Sequence, residues 1–226
     1  MYMCANIIYM KEMQDKNYIP VSKLRSSIVA VDVVIFSIIN ETLNVLLVPV
    51  DRPPHYVNMH GLPGGVILDN ENADQSASRH LKEKANITNI HIEQLYTFSD
   101  VNRDKRSRSI SVAYMALLGP DKFPSKMKDK EEWVPVTKLP KLAFDHKEII
   151  KVALDRLKGK LSYTNIVANL LPKHFTLSEL QHINEIILGH EIDKRNFRKK
   201  VIASGVVKAT GTYKKASKRP AELYTF

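Results

Sequence analysis

Residues 176–205 read TLSELQHINEIILGHEIDKRNFRKKVIASG, and this stretch determines the fold of the C-terminal part of the chain. Thr176 and Glu179 have the spacing of a capping box, in which a hydroxyl and a carboxylate satisfy free backbone N–H groups at a helix start. Apolar residues then recur at helical spacing until Gly189 ends the pattern. Asp193 is placed to cap a second helix, which ends at the next glycine. The stretch predicts two helices joined by a short turn.

The residues that follow favour a two-stranded wing. Val206-Val207 is typical of the start of a strand, and Thr210-Gly211-Thr212 of a turn. Residues 214–219 form a basic loop before a closing strand at Leu223–Phe226. Helix, turn, helix and wing is the order of a winged helix-turn-helix domain, whose second helix enters the DNA major groove.

The second helix and the wing carry the side chains that we expect to bind DNA. Arginine and asparagine make bidentate contacts with guanine and adenine, so Arg195, Asn196 and Arg198 are the candidates for reading base edges. Other cations contact phosphates, which position a protein without specifying sequence. The rest of the predicted DNA-binding set is Thr176, Lys194, Lys199, Lys214, Lys215, Lys218 and Arg219. The alternative is a small helical cap with an incidental basic surface.

Positive charge is concentrated in this part of the chain. The 226 residues carry a formal net charge of +10, and residues 160–226 hold twelve Lys or Arg against five Asp or Glu. Ten of the twelve lie between Lys194 and Arg219, where there is no acidic residue. Scattered lysines are typical of a solvated surface, whereas such a cluster indicates an anionic partner. We expect that partner to be double-stranded operator DNA.

Composition excludes several classes of protein. The hydrophobic content of 44% is sufficient for a normal core, and the single cysteine, Cys4, cannot form an intramolecular disulfide. The N-terminal residues lack the pattern of a signal peptide. The most apolar run, Ile28–Ile39, is interrupted by Asp32 and is too short to span a bilayer. We therefore expect a cytoplasmic protein without a membrane partner.

Upstream of the winged helix, strand patterns alternate with helix patterns. Ile28–Ile39 and Leu43–Val50 are β-branched runs separated by Asn40-Glu41-Thr42, which predicts a hairpin, and Gly61–Gly65 is a glycine-rich turn. The remaining predicted elements are a helix at Ala73–Asn86 capped by Asn72, strands at Gln94–Ser99, Ile110–Leu118 and Trp133–Val136, and a helix at Lys147–Leu157. Gly159 fits a helix C-terminus, so we divide the chain into domains 1–159 and 160–226.

The predicted loop and helix after Gly61 resemble a Nudix box. Gly65, Glu71 and Arg79 have the spacing with which that motif opens, and the residues after Arg79 would then read Glu-apolar-x-Glu-Glu-x-Gly-apolar. Here they read HLKEKANI, so the apolar positions and one glutamate match, while two glutamates and the glycine do not. The resemblance implies that an ion pair between Glu71 and Arg79 shapes the loop and helix.

The same comparison implies that the metal centre of a Nudix hydrolase is absent. Residues 80, 83 and 84 share one helix face, where the family places glutamates that bind magnesium. Magnesium requires carboxylate oxygens, and only Glu83 remains beside His80 and Lys84. Lys84 would also repel a metal ion, by about 4 kcal/mol for two unit charges ~4 Å apart at an effective dielectric of ~20. We therefore predict no catalytic residue, no metal site, no cofactor and no hydrolase activity.

The resemblance extends to a family of Nudix-related transcriptional regulators. Residues 96–106, 110–114 and 139–146 are similar to segments of proteins that join a Nudix-like effector domain to a C-terminal winged helix and act as dimeric repressors. The implied fold is α+β, with a Nudix-like α/β/α sandwich around a mixed sheet followed by a winged helix-turn-helix domain. Some members respond to ADP-ribose and control NAD metabolism, and the sequence is most similar to an arabinose-responsive branch. We expect a homodimer.

A sugar, L-arabinose above all, is the predicted effector, because diphosphate binding without a metal ion is harder to arrange. A pentose needs fixed polar groups beside an apolar wall, whereas a diphosphate needs cations. Both types occur among the predicted effector-binding residues, which are His60, Phe98, Arg103, Asp104, Arg106, Asp145 and His146. Each also has an alternative role in the core, in helix capping or in solvent. An ADP-ribose sensor or a Nudix hydrolase is the alternative function, and an RNA-binding module is disfavoured because the basic helix lacks aromatic residues for base stacking.

Overall fold

The computed structural model describes residues 26–119, 122–123, 132–161, 164–215 and 220–226. In the first half of these residues, a mixed seven-stranded sheet has the order β3-β2-β1-β6-β5, with β4 added to β1 and β7 to β2. Its strands are β1 (Ile28–Ile39), β2 (Thr42–Arg52), β3 (Tyr56–Gly61), β4 (Gly64–Val66), β5 (Glu93–Phe98), β6 (Ser109–Leu117) and β7 (Glu132–Pro135). Helix α1 (Ala73–Ala85) follows β4, and helix α2 (His146–Lys160) follows β7.

Two local sequence signals position the centre of the sheet. Asn40 and Glu41 adopt positive φ angles of 48° and 59°, which a two-residue turn needs in order to match the twist of β1 and β2. The resulting register pairs Ile39 with Thr42, as the predicted hairpin requires. On its other side β1 pairs with β6 in parallel, so the sheet is mixed.

Alternation along β1 produces a three-layer sandwich, because successive side chains point to opposite faces. Val31, Val33 and Ile35 pack with the buried residues of α1. Val34 and Phe36 pack on the opposite face with the buried residues of α2. The predicted α/β/α arrangement is therefore confirmed, with β1 buried on both faces.

The C-terminal residues form the predicted winged helix. After a 3₁₀ helix (Ile166–Leu170), the elements are β8 (Phe175–Thr176), α3 (Leu177–Leu188), α4 (Lys194–Ala203), β9 (Lys208–Lys214) and β10 (Ala221–Thr225). The strands form a sheet in the order β8-β10-β9. Gly189 ends α3 with a φ of 80°, a left-handed conformation that glycine adopts without a Cβ clash.

One hydrophobic core joins the two halves. Phe175, Leu180 and Ile187 belong to the same buried cluster as Leu157 of α2 and Phe36 of the sheet. The tip of the β1–β2 hairpin also reaches the winged helix, where the carboxylate of Glu41 contacts the imidazole of His182 on α3. A displacement of α2 or of the sheet would therefore change the packing of α3.

Three predicted turns differ in the structure. Helix α2 continues through Gly159 to Lys160, because packing of its apolar face outweighs the low helix propensity of one glycine. Gly61 ends β3 and Gly64 begins β4, so the glycine-rich segment lies between two short strands. Thr210-Gly211-Thr212 lies inside β9, where the register with β10 shifts and Gly211 has a φ of 71°. This is a β-bulge, not a turn.

Several predictions fall outside the described residues or stay untested. Cys4, Lys218 and Arg219 are not described. The division into 1–159 and 160–226 stays a prediction. In the part of the chain that is described, we find no helix with the length and apolarity needed to cross a bilayer.

Candidate functional site

Helix α4 presents the predicted base-reading side chains to solvent. The carboxylate of Asp193 accepts a hydrogen bond from the N–H of Asn196 at 2.8 Å and so caps the helix, as predicted. Phe197 and Val201 are half-buried and pack on the core, as predicted. The exposed predicted DNA-contacting residues of this helix are Lys194, Arg195, Asn196 and Lys199.

The turn before α4 is fastened by two side chains of α3. Gln181 donates from Nε2 to Glu185 Oε1 at 2.8 Å and to the carbonyl oxygen of Ile192 at 3.0 Å. The N–H of Ile192 donates to Glu185 Oε1 at 2.9 Å. The hydrogen bonds from Gln181 and Ile192 hold the pKa of Glu185 below its ordinary value. Together they set the angle at which α4 leaves α3.

The wing carries a second group of exposed cations. Lys215 is exposed after the end of β9. Lys214 donates from Nζ to Glu179 Oε1 at 2.7 Å, so it ties the wing to the start of α3. Phosphate contacts by these residues would hold the domain on DNA without reading sequence.

Two predicted DNA-contacting residues make contacts inside the domain. Thr176 is buried, and its Oγ1 accepts from the N–H of Glu179 at 3.1 Å while its own N–H donates to the Glu179 carboxylate at 2.7 Å. Its assignment to DNA is corrected to a helix cap. Arg198 donates from Nη2 to Ser178 Oγ at 3.1 Å, which fastens α4 to α3. Arg195 and Asn196 thus remain the exposed pair of predicted base readers.

In the sheet domain, a buried charged network joins four segments of the chain. Arg103 donates to Asp145 at 3.0 and 2.8 Å, to Asp32 at 3.3 Å and to Ser109 Oγ at 3.0 Å. Asp32 also accepts from Ser111 Oγ at 2.6 Å. These contacts fix the 99–108 loop on β1 and on the start of α2. Arg103 and Asp145 were predicted to bind an effector; in the structure their side chains pair with each other and hold the loop against α2.

His146 also belongs to this network, and its hydrogen-bond partners define its tautomer. The N–H of Leu62 donates to His146 Nδ1 at 2.8 Å, so the ring proton is on Nε2, which lies 3.2 Å from Asp32 Oδ1. Burial opposes ionisation of Asp32, but His146, Ser111 and Arg103 together hold its pKa below the ordinary value. A Cβ at Gly61 would lie 2.7 Å from His146 Nδ1, so this close approach needs glycine.

Arg106 lies against two aromatic rings at the outer side of the network. Its guanidinium carbon is 5.2 Å from the ring centre of Phe144 and 5.9 Å from that of Tyr56. Asp104 is buried and accepts from Arg106 Nε at 3.0 Å and from Nη2 at 2.8 Å. The site thus offers an aromatic wall and a partly exposed guanidinium, which suit a flat base and an anionic group.

The side chains of the other two predicted effector residues have different partners. Phe98 is buried at the end of β5 with Tyr96 edge-on to it, which makes it a core residue. Its assignment to the effector is corrected accordingly. His60 is half-buried on β3, and its Nε2 lies 3.6 Å from the carboxylate of Glu132.

The helix that resembles the Nudix box has kept its scaffold. Arg79 donates from Nε and Nη2 to Glu71 at 2.8 and 2.5 Å, which holds the pKa of Glu71 at about 2. Asn86 ends α1 with a φ of 50°, a left-handed conformation that asparagine tolerates in place of the expected glycine. The predicted ion pair and helix are confirmed.

The metal-binding face of α1 does not fit magnesium. His80 is buried against Gly65, Lys84 donates to the carbonyl oxygen of Gly64, and Glu83 is paired with Arg79 at 3.1 Å. Among the described residues, no group of three or more His, Cys, Asp or Glu side chains is placed to hold a metal ion. The absence of a metal site and of hydrolase activity stays a prediction.

Comparison with protein families matches both halves of the chain. Residues 29–153 match the NUDIX domain, and residues 167–226 match the NrtR DNA-binding winged helix domain. The ADPR responsive transcriptional repressor NtrR of Acinetobacter baylyi is 39% identical over 207 residues, covering 89% of this chain and 82% of the relative.

The chain belongs to the NrtR family.

Solved structures agree with that membership. The Shewanella oneidensis NrtR complexed with a 27mer DNA has a TM-score of 0.74 and 35% identity, covering 87% of this chain and 92% of that one. The NUDIX domain of the same protein complexed with ADP ribose has a TM-score of 0.53 and 32% identity, covering 67% and 97%. The predicted similarity to the arabinose-responsive branch is not supported, because the relatives described above are an ADPR responsive repressor and NrtR proteins.

Sequence reasoning missed three residues of this buried network and its aromatic wall. Asp32 was noted only as an interruption of an apolar strand, although a carboxylate inside a buried strand requires a partner. That requirement is the signal that could have identified the network. Tyr56 and Phe144 gave no comparable signal, since aromatic residues in loops are equally compatible with a core position.

The capping role of Thr176 leads to a stability prediction. Thr176→Ala should lower the free energy of unfolding by about 1–2 kcal/mol, because the N–H of Glu179 loses its acceptor. Thr176→Ser retains the hydroxyl and should remain within ~0.5 kcal/mol of the parent. Urea unfolding followed by circular dichroism measures both. Equal stability of the two variants would show that the cap is not the source of the effect.

Proposed function

We propose that this chain is an ADP-ribose-responsive transcriptional repressor whose Nudix domain is a sensor and not a hydrolase. The observation that carries the proposal is similarity over both domains to a protein solved once with DNA and once, as its NUDIX domain, with ADP ribose. The exposed pair Arg195 and Asn196 on a capped helix supports the DNA part. The helix face formed by His80, Glu83 and Lys84 supports a sensor over a magnesium hydrolase.

The effector is proposed to bind beside the 99–108 loop. ADP-ribose contains an adenine ring and a diphosphate, and the wall formed by Tyr56, Phe144 and Arg106 offers aromatic surface with a cation. Arg103, Asp145 and His146 hold that wall in place from within. This assignment replaces the sugar that the sequence favoured. The resemblance extends the proposal to genes of NAD metabolism.

Helix α2 is the proposed link between effector and DNA. Its N-terminal residue His146 belongs to the buried network, and its C-terminal part packs with the winged helix. A helix of 15 residues spans about 22 Å, so it connects the two sites directly. Operator half-sites lie one helical turn apart, about 34 Å, and a homodimer is proposed to match them. A shift of α2 in each protomer would spoil that match.

Effector titration tests the proposal. The operator is first selected by the wild-type chain from a random duplex library. Saturating ADP-ribose should then weaken operator binding at least about tenfold, and operator should weaken ADP-ribose binding by the same factor, because coupling is reciprocal. Fluorescence anisotropy measures the first, and calorimetry of the complex the second. Operator affinity that is unchanged by ADP-ribose but reduced by L-arabinose would overturn the effector assignment in favour of the sugar.

A hydrolase with a nucleic-acid-binding appendage is the second candidate, favoured only by the retained Glu71–Arg79–Glu83 frame. It predicts magnesium-dependent release of AMP from ADP-ribose. At a concentration of protein sufficient for a single turnover, we expect no AMP. Its appearance, suppressed by EDTA, would establish the enzyme.

A further inference from the structure

Lys84 lies at the centre of the former metal-binding face and points inward. It occupies the last turn of α1, and its ammonium donates to the carbonyl oxygen of Gly64 in the glycine-rich segment. The side chain is half-buried, whereas Lys82 on the same helix is exposed. The ammonium is thus held at a fixed place between the helix and the first residue of β4.

The charges around this ammonium are of both signs. Burial lowers the pKa of Lys84, and repulsion from Arg52 and Arg79 opposes the attraction of Asp32 and Glu83. Among the described residues, no carboxylate lies within ion-pair distance, 4.0 Å, of Lys84 Nζ. A partly buried cation without a close counter-charge is stabilised when an anion binds beside it.

The hydrogen bonds of the ammonium leave room for such an anion. An ammonium has three donors, and the Gly64 carbonyl accepts only one of them. Arg52 is exposed at the end of β2 and pairs in the sheet with Tyr56, the ring that Arg106 covers. Arg52 therefore adds a cation beside the aromatic wall, and its charge also acts on Lys84.

We propose that the ammonium of Lys84 is a built-in cation that binds the diphosphate of the effector, so that binding needs no divalent metal ion. The inference rests on the proposed function, because it takes ADP-ribose as the ligand. The sequence favoured a neutral sugar because a diphosphate is hard to bind without a metal ion. Under this proposal Lys84, the residue that excludes magnesium, supplies the positive charge that the diphosphate needs. Carboxylates at the positions of His80 and Lys84 would bind a metal ion, whereas the ammonium of Lys84 would bind the phosphate directly.

Calorimetric titration with ADP-ribose tests the inference. Wild type should bind with the same affinity, within about twofold, in EDTA and in millimolar MgCl₂. Lys84→Gln should weaken binding about 10- to 100-fold, the factor that a charge-assisted hydrogen bond of ~1.5–3 kcal/mol supplies. Lys82→Gln is the matched control, with the same charge change on an exposed position of the same helix, and should bind like wild type. Lys84→Arg keeps the cation and should retain most of the affinity.

The outcomes separate this inference from the proposed function. No binding of ADP-ribose to wild type overturns the proposed function. Binding that requires Mg²⁺, or equal affinity of wild type and Lys84→Gln, overturns the role of Lys84 while the sensor stands. Circular dichroism melting of each variant establishes that it is folded. If Lys84→Gln does not fold, two other measurements decide the role of Lys84. These are the affinity of wild type in EDTA against that in Mg²⁺, and the affinity of Lys84→Arg.

Discussion

Replacing both Arg195 and Asn196 with alanine reduces affinity for the selected operator by roughly 100-fold or more, the largest functional effect that we expect. Each bidentate contact with a base contributes about 1–3 kcal/mol, and 1.4 kcal/mol is a factor of ten in affinity. Both side chains are exposed on α4 beside its capped start, where a recognition helix reaches base edges. Anisotropy titrations with operator and with scrambled duplex measure the loss, which should be much smaller on the scrambled DNA.

Two sets of controls make this prediction specific. Lys199→Ala and Lys215→Ala remove proposed phosphate contacts, so each should weaken both duplexes alike and reduce the log–log salt slope by about 1 from a value near about −5 for six contacts. Lys151→Ala removes an exposed cation of α2 and should change neither affinity. An equal loss on operator and scrambled DNA for the Arg195 and Asn196 variant would contradict base reading.

Replacing Arg103 with methionine lowers the free energy of unfolding by about 3–5 kcal/mol, because a buried ion pair that loses one partner leaves an uncompensated charge. Asp32 and Asp145 would both lose their guanidinium, and Asp32 is almost fully buried. Urea unfolding measures the loss. Lys105→Met, on the same loop but exposed, should cost no more than ~0.5 kcal/mol. A similar small cost for Arg103→Met would show that the network does not hold the loop.

The pH dependence of this effect has a defined sign. The pKa of Asp32 is lowered in the folded protein, so its contribution to stability is present above its unfolded pKa of about 3.9 and is lost as pH falls through the folded pKa. The difference between wild type and Arg103→Met should therefore be largest near neutral pH and shrink below about pH 4. If the variant does not fold, Arg103→Lys, which keeps a charge but loses the bidentate contact, should show a smaller loss with the same trend.

The charge of Lys84 leads to two separate predictions from the sequence, one about magnesium and one about a diphosphate. Its charge alone predicts that magnesium is excluded from the helix face, and that prediction requires only helical spacing. The same charge was taken to disfavour a diphosphate, since no metal remained to bind it. The contact with the Gly64 carbonyl gives the ammonium a fixed place on the helix face, and we propose that a phosphate binds there, which would reverse the second argument.

The sequence by itself determined the features that depend on neighbours along the chain. The capping boxes at Asn72 and Thr176, the left-handed glycine at Gly189 and the hairpin turn at Asn40-Glu41 follow from interactions among residues a few positions apart. The order of helices and wing, and with it the DNA-binding domain, followed from these local signals. The Nudix-like scaffold was implied by the resemblance to a Nudix box that Gly65, Glu71 and Arg79 carry.

Only the tertiary structure decided which polar residues face a ligand and which hold the protein together. Arg103 and Asp145 resemble ligand-binding residues in sequence, but Arg103 pairs with Asp145 and with Asp32, which lie 42 and 71 positions away. Helix α2 continues through Gly159, because burial of its apolar face stabilises the helix by more than one glycine destabilises it. Local patterns contain no information about such distant partners. The structural roles of these polar residues therefore became clear only from their burial and their long-range partners.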